Sequence, residues 1–170
     1  DGSSLAYEEN VAMTREVVAM AKACNADVEA EIGIVTGHEG KTFAINDVSD
    51  AYTDPELAAR YVKDTGIDAL AASVGTVHGF YATKPKLDFD RISEIAETIS
   101  TPLVLHGGSG LSDSDFRTAV ERGISKVNIF TDINQAGARA AGSGYREGIG
   151  LTDMILPEIE AVKRSVMEKM

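Results

Sequence analysis

Leu103-Val104-Leu105-His106-Gly107-Gly108-Ser109-Gly110 is the stretch on which the fold reading turns. Three apolar residues, a histidine and a run of glycines read as a short strand, buried on both faces, that ends in a tight loop. Residues 68–79 repeat the pattern: DALAASV is apolar throughout, and Gly75-Thr76-Val77-His78-Gly79 follows. Between the two, Asp88 opens a helix through Ile92, Ile95 and Ile99, and Pro102 stops it. Working outward, a helix over about 112–122 ends at Gly123, and residues 126–130 (KVNIF) make a further strand. On the other side, residues 27–33 (DVEAEIG) read as a strand, and Asp54-Pro55 is an N-cap followed by proline at the first helical position, with Gly66 closing that helix. Ser3 and Ser4 are expected to cap a first helix carrying Val11, Val17, Val18 and Ala21 on one side, with Glu8 and Glu9 near its positive end. Two more helices are expected near 132–146 and 152–169, while residues 33–53 read as a loop.

Strand-helix alternation of this kind means a parallel sheet covered by helices. Four strands suit a small open sheet, or half of an eight-stranded barrel of about 250 residues. Periodicity alone does not choose between them. Composition excludes several other classes. The 170 residues carry a formal charge of −11, so a nucleic-acid phosphate backbone finds no basic face. An anionic small molecule stays open, because backbone amides bind phosphate without net positive charge. No apolar run approaches the roughly 20 residues that span a bilayer, and no signal-peptide pattern opens the chain. Cys24 is the only cysteine, which forbids an internal disulfide and favours a reducing, cytoplasmic compartment. The first residue is Asp1 rather than methionine, which suggests a cut through a longer polypeptide.

The chemistry gathers at the strand ends. In a parallel α/β fold the carboxyl ends of the strands form the active face. His78 and His106 each end a strand and precede a glycine, so their imidazoles can converge as metal ligands must. A lone histidine at such a place usually hydrogen-bonds a neighbouring loop; two in the same pattern favour ligation. The Gly107-Gly108-Ser109-Gly110 amides can approach an anion with a hydroxyl beside them, and Asn128 and Thr131 face the same region.

The segments Val77-His78-Gly79-Phe80-Tyr81, Pro85-Lys86-Leu87-Asp88-Phe89, Leu105 to Gly110 and Lys126-Val127-Asn128-Ile129 resemble class II fructose-bisphosphate and tagatose-bisphosphate aldolases. Asp1-Gly2-Ser3 and Glu29-Ala30-Glu31-Ile32-Gly33 resemble two further family segments in the right order, so the likeness runs over nearly the whole chain. The resemblance implies an α/β fold of the (β/α)8 TIM-barrel type. Residues 1–170 would be the C-terminal part of that single domain, from the end of strand four to strand eight. It implies Zn2+ as cofactor, with a second monovalent or divalent cation allowed. His78 and His106 match the zinc histidines of strands six and seven. Glu31 matches a metal-binding carboxylate on strand five, and Asp1 an aspartate near an alternative metal position. The family's first zinc histidine and catalytic aspartate belong upstream of Asp1.

The implied reaction is reversible aldol cleavage of a ketose bisphosphate, fructose 1,6-bisphosphate or an epimer, to dihydroxyacetone phosphate and an aldehyde through a zinc-stabilised enediolate. Gly79, Gly107, Gly108, Ser109, Asn128 and Thr131 match positions that hold the phosphate-bearing moiety, with Phe130 contributing a backbone amide. Glu39 aligns with the carboxylate that moves the substrate proton, and His38 beside it reads as an exposed loop residue. The implied partners are a sugar phosphate and further copies of the chain, as dimer or tetramer, without nucleic acid or membrane. A non-catalytic sugar-phosphate-binding or chaperone-like subunit is the alternative, and the retained histidine pair argues against it.

Three departures stand out. Phe130 replaces an aspartate of the fructose-bisphosphate branch, Ala82 follows Tyr81 where many members have lysine (Lys84 is close by), and the Asp-Pro-Arg pattern before the last helix is missing. A half-barrel also leaves two unpaired edges and an uncovered interior. Residues 1–170 alone are therefore expected to be insoluble, molten or dimerised edge to edge, and inactive.

Overall fold

In chain order the elements are α1 (Tyr7–Ala23), β1 (Glu29–Ile32), β2 (Gly37–Phe43), α2 (Pro55–Thr65), β3 (Ala69–Ala72), β4 (His78–Tyr81), α3 (Phe89–Thr98), β5 (Leu103–Leu105), α4 (Asp113–Glu121), β6 (Ile124–Val127), α5 (Thr131–Gly144) and α6 (Leu151–Lys169). The computed structural model describes residues 1–33, 37–43, 52–81 and 85–170, with residues 37–43, 80 and 81 described by their backbone alone. Several boundaries follow local chemistry. Asp54, Asp88 and Ser112 each cap a helix by accepting a backbone amide, and Ser112 completes a capping box with Asp115. Gly66 closes α2 in the left-handed conformation, at φ 69°.

β1, β3, β5 and β6 form one parallel sheet in that order, and β2 pairs with β4 in a separate parallel ribbon. Register and pleat divide the larger sheet into two kinds of row. Leu70, Leu103 and Ile124 stand side by side, and with Ala30, Ile32, Ala72 and Leu105 they belong to the core that Ala58, Tyr61, Ile92, Ile95 and Ala119 of the helices cover. The opposite face carries the row Glu31, Ala71, Val104 and Lys126, with Glu29 and Ala69 one step earlier. The core row is apolar throughout. The other row is charged at both ends.

That charged face is concave. Lys126 Nζ lies 2.6 Å from Glu29 Oε2, although β6 and β1 are the two outer strands of the sheet. A flat sheet sets such strands roughly 14 Å apart, three spacings of about 4.8 Å, and both side chains would have to lie across β3 and β5. Curling the sheet lets them meet above it instead. A register shift helps: Ile124 opposes Leu103 but Lys126 opposes Val104, so Ser125 is bulged out and Lys126 joins the inner row.

Four sequence expectations need correcting. Ser3 and Ser4 do not cap α1; a turn from Gly2 to Leu5 precedes it, and Ala6 is the N-cap with no side-chain bond. The covered face of α1 is Asn10, Val11, Thr14 and Val18, whereas Val17 is exposed. Polar residues serve there because Asn10 donates to the Glu31 carbonyl (3.1 Å) and accepts from the Tyr61 hydroxyl (2.8 Å). β6 covers 124–127 rather than 126–130, because Gly123, at φ 117°, delivers Ile124 directly into the buried row and α5 begins at Thr131. The stretch read as a loop over 33–53 contains β2, paired with a strand at His78 that sequence did not suggest. Residues 34–36, 44–51 and 82–84, with Ala82 and Lys84 among them, lie outside the described residues.

α6 buries none of its residues, and Leu151, Leu156 and Met167 are more than 60% exposed. No described helix is long and apolar enough to cross a membrane. Leu70 is fully buried on a central strand, so Leu70→Ala is expected to lower the unfolding free energy of the full-length protein by about 2–5 kcal/mol in urea titrations. A loss below about 1 kcal/mol would contradict the packing described.

Candidate metal centre

Two loops and one strand build the site. β3 ends at Ala72, and Ser73 through Val77 lead to His78; β5 ends at Leu105, and His106 follows at once. Because β3 and β5 are adjacent and parallel, both histidines leave from the same edge of the sheet. Two glycines allow close approaches of these loops to neighbouring backbone. Gly75, at φ 104°, would bring a Cβ within 2.3 Å of the Lys86 carbonyl, and Gly107, at φ 68°, within 2.4 Å of the Val77 carbonyl. The loop after His106 thus lies directly on the residue before His78. The two rings end with centroids 5.7 Å apart, tilted by 40°.

Glu31 comes from β1. Its side chain is 2% exposed, and its Oε2 lies 2.7 Å from His106 Nδ1. Ligand atoms of Glu31, His78 and His106 all fall within 4.8 Å of one another. Glu29, two residues earlier on the same face, places Oε1 2.9 Å from His106 Nε2 and is itself held by Lys126, with Asn128 Nδ2 at 3.5 Å. The hydrogen bond with Glu31, opposed by burial and reinforced by Glu29, holds the His106 imidazole above its ordinary range. Burial pushes the Glu29 carboxyl up, but hydrogen bonds from Lys126 and His106 outweigh it and hold it below the usual carboxylate range.

The other residues singled out by sequence fall into separate groups. Gly79 is buried, at φ 101°. Gly108 donates to the Asn128 carbonyl (3.0 Å) and Asn128 to that of Leu105 (2.9 Å), which fastens the glycine loop to the segment after β6. Ser109 is buried and accepts from the Asp132 amide at 3.2 Å, while Thr131 is 1% exposed at the start of α5. Phe130 is the N-cap of α5 and is 53% exposed. Asp1 is exposed, accepts from the Ser3 amide at 2.8 Å and is not part of the Glu31–His78–His106 group. Glu39 and His38 lie on β2, whose Gly37 pairs with His78; their side chains are outside the described residues.

Sequence reading passed over Glu29, Lys126 and Asp132. Strand alternation from Glu31 was the available signal for Glu29; the register shift hid Lys126. Asp132 sits in the first turn of α5 and accepts from Gly110 N and Lys169 Nζ, both at 3.0 Å, at the rim of the glycine loop. Thr76, two residues before His78, is 2% exposed and has the only buried side-chain hydroxyl without a hydrogen-bond partner among the described residues.

One carboxylate and two imidazoles, convergent and largely shielded, are a donor set suited to a borderline cation such as Zn2+. The residues present therefore fit a metal.

The architecture recurs in solved aldolases. The YdjI aldolase of Escherichia coli K12 is 32% identical over 99% of this chain, with a TM-score of 0.77. A putative fructose-1,6-biphosphate aldolase from Coccidioides immitis is 31% identical over 98%, with a TM-score of 0.85. A fructose-bisphosphate aldolase from Campylobacter jejuni, 22% identical over 98%, shares the fold at a TM-score of 0.72. This chain spans 56%, 58% and 56% of those three chains. The class is thus a mixed α/β aldolase frame on a parallel sheet. The sequence model of the class-II fructose-bisphosphate aldolases matches residues 1–170, and the chain belongs to that family.

The raised His106 value has a definite sign in the metal-free protein. Its contribution to stability is full below about pH 6.5, the unfolded value, and is lost as pH rises through the folded value. NMR titration of the metal-free full-length protein should give His106 a midpoint above 6.5, which Glu31→Gln lowers. A wild-type midpoint at or below 6.5 would contradict the geometry described.

Proposed function

We propose that residues 1–170 are the C-terminal portion, strand four's end to strand eight, of a single (β/α)8 barrel domain. Its reaction is reversible cleavage of a ketose bisphosphate, fructose 1,6-bisphosphate or an epimer, to dihydroxyacetone phosphate and an aldehyde. The carrying observation is the convergence of Glu31 on β1, His78 at the start of β4 after the loop that leaves β3, and His106 just past β5, with ligand atoms within 4.8 Å of one another. Family membership and the concave, charged sheet face support the reading.

His78, His106 and Glu31 would hold a Zn2+ ion, which when bound would supply Lewis-acid polarisation of a ketone oxygen. The chain's own residues do the rest. Gly107, Gly108 and Ser109, with Asn128, Phe130, Thr131 and Gly79 around them, bind the phosphate and orient the ketone end. Glu39 removes the proton at C1 of dihydroxyacetone phosphate in the condensation direction and returns it in cleavage. Gly37, two residues before Glu39 on β2, pairs with His78, which supports this segment as a neighbour of the metal ligands. No lysine is required as a nucleophile. Cytoplasmic location and homo-oligomeric assembly belong to the same proposal, supported by the lone cysteine and the uncovered apolar side chains of α6.

The test is cleavage of fructose 1,6-bisphosphate and its epimers by the full-length protein. Activity should vanish with a chelator and return with Zn2+. Glu39→Ala should lower kcat by about 10²–10⁴-fold with zinc content unchanged. Absence of cleavage of any ketose bisphosphate by zinc-loaded protein would overturn the proposal.

A further inference from the structure

His106 is gripped at both ring nitrogens by one strand. Glu31 and Glu29 stand two residues apart on β1 and so point from the same face; Glu31 meets Nδ1 at 2.7 Å and Glu29 meets Nε2 at 2.9 Å. The two carboxylates are not equivalent. Only Glu31 joins His78 in the cluster of ligand atoms. Glu29 is committed elsewhere, through a 2.6 Å contact with Lys126 Nζ on Oε2 and a 3.5 Å approach of Asn128 to Oε1. Nδ1 thus meets the carboxylate that belongs to the cluster, and Nε2 faces the Glu29–Lys126 pair.

We infer that Glu29, held by Lys126, is the positioning residue that fixes His106 with Nε2–H on a carboxylate and the Nδ1 lone pair turned to the metal. An imidazole that donates one N–H to a carboxylate cannot swap tautomers cheaply, and its other nitrogen becomes a stronger donor to a cation. Lys126 has a distinct part. Glu29 and Glu31 are like charges on one face, and without a cation Glu29 would be drawn to the metal as a competing ligand. The bulge at Ser125 turns Lys126 inward opposite Val104, and its ammonium occupies the outer oxygen of Glu29. The device spans the whole sheet, from β1 through the end of β5 to β6.

The inference rests on the metal reading proposed above, and the test separates the two. Zinc stoichiometry and affinity are measured by chelator competition on the full-length wild-type protein, Glu29→Gln, Lys126→Met and Lys126→Arg. The Glu29 side chain is 26% exposed and that of Lys126 is 55% exposed, so the substitutions leave the core untouched. Glu29→Gln is expected to weaken zinc binding about 10–100-fold, Lys126→Met to weaken it as well, and Lys126→Arg to restore it. Nitrogen-15 shifts of His106 in the zinc-loaded wild type should report a protonated Nε2, and a mixed tautomer in Glu29→Gln. A merely structural pair would change thermal stability but leave zinc affinity and the tautomer as they are. Equal affinities across the four proteins, or a protonated Nδ1, would overturn the inference while the metal reading stands. A wild type that binds no zinc would overturn both.

Discussion

Glu31 is the constraint around which the rest of the structure is arranged. A carboxylate left 2% exposed on a parallel strand needs a partner for its charge, and His106 is that partner. The pairing in turn demands that His106 sit just past the end of β5, two strands from β1, on a sheet curved enough for the side chains to meet. It also demands a rigid backbone under Glu31. Asn10 supplies one tether through the Glu31 carbonyl, within a buried network that includes Thr14 and Tyr61. Thr53 supplies another, donating to the Ile32 carbonyl at 2.8 Å and accepting from the Ser73 amide at 2.8 Å, which locks the ends of β1 and β3 together. Core and candidate site therefore occupy opposite faces of the same strands. The row under the helices is apolar and closed; the row that faces the other way carries Glu31, Glu29 and Lys126.

The glycines have a matching logic. Strands fix where His78 and His106 begin, but only a close approach of their loops brings the rings together. Gly107 against the Val77 carbonyl is that approach, and any side chain there would push the histidine loops apart. The same loop continues into Gly108 and Ser109, which are tied to Asn128 and Asp132. The histidine of the candidate metal group and the glycine-loop amides thus share one short segment, so a shift in either moves both.

Much of this was legible in the sequence because the signals are local. Apolar runs bounded by glycine, proline or aspartate marked β1, β3 and β5 within a residue or two, and the caps at Asp54, Asp88 and Ser112 depend only on the residues beside them. The two histidines followed by glycine foretold that their rings would lie together, although His78 opens β4 instead of ending a strand. What was missed is non-local. β2 and β4 are rich in glycine, charge and histidine, and they form strands only because each finds the other across the structure. The displacement of β6 and the inward turn of Lys126 follow from a bulge that no periodicity announces. Glu29 was visible as an alternating neighbour of Glu31, but its attachment to Lys126 requires the curl of the sheet. Asp132 read as a first-turn acid of α5, and nothing in its surroundings revealed that it closes on Gly110 and Lys169.

The central claim is that Glu31, His78 and His106 form a metal-binding constellation. Anomalous diffraction at the zinc edge, from crystals of the full-length protein grown with Zn2+, tests it most directly. The account predicts one strong peak bonded to a nitrogen of His78 and to Nδ1 of His106 at about 2.0–2.1 Å, on the side of the ring that faces Glu31. A peak elsewhere, or none at these histidines with zinc in excess, would contradict it.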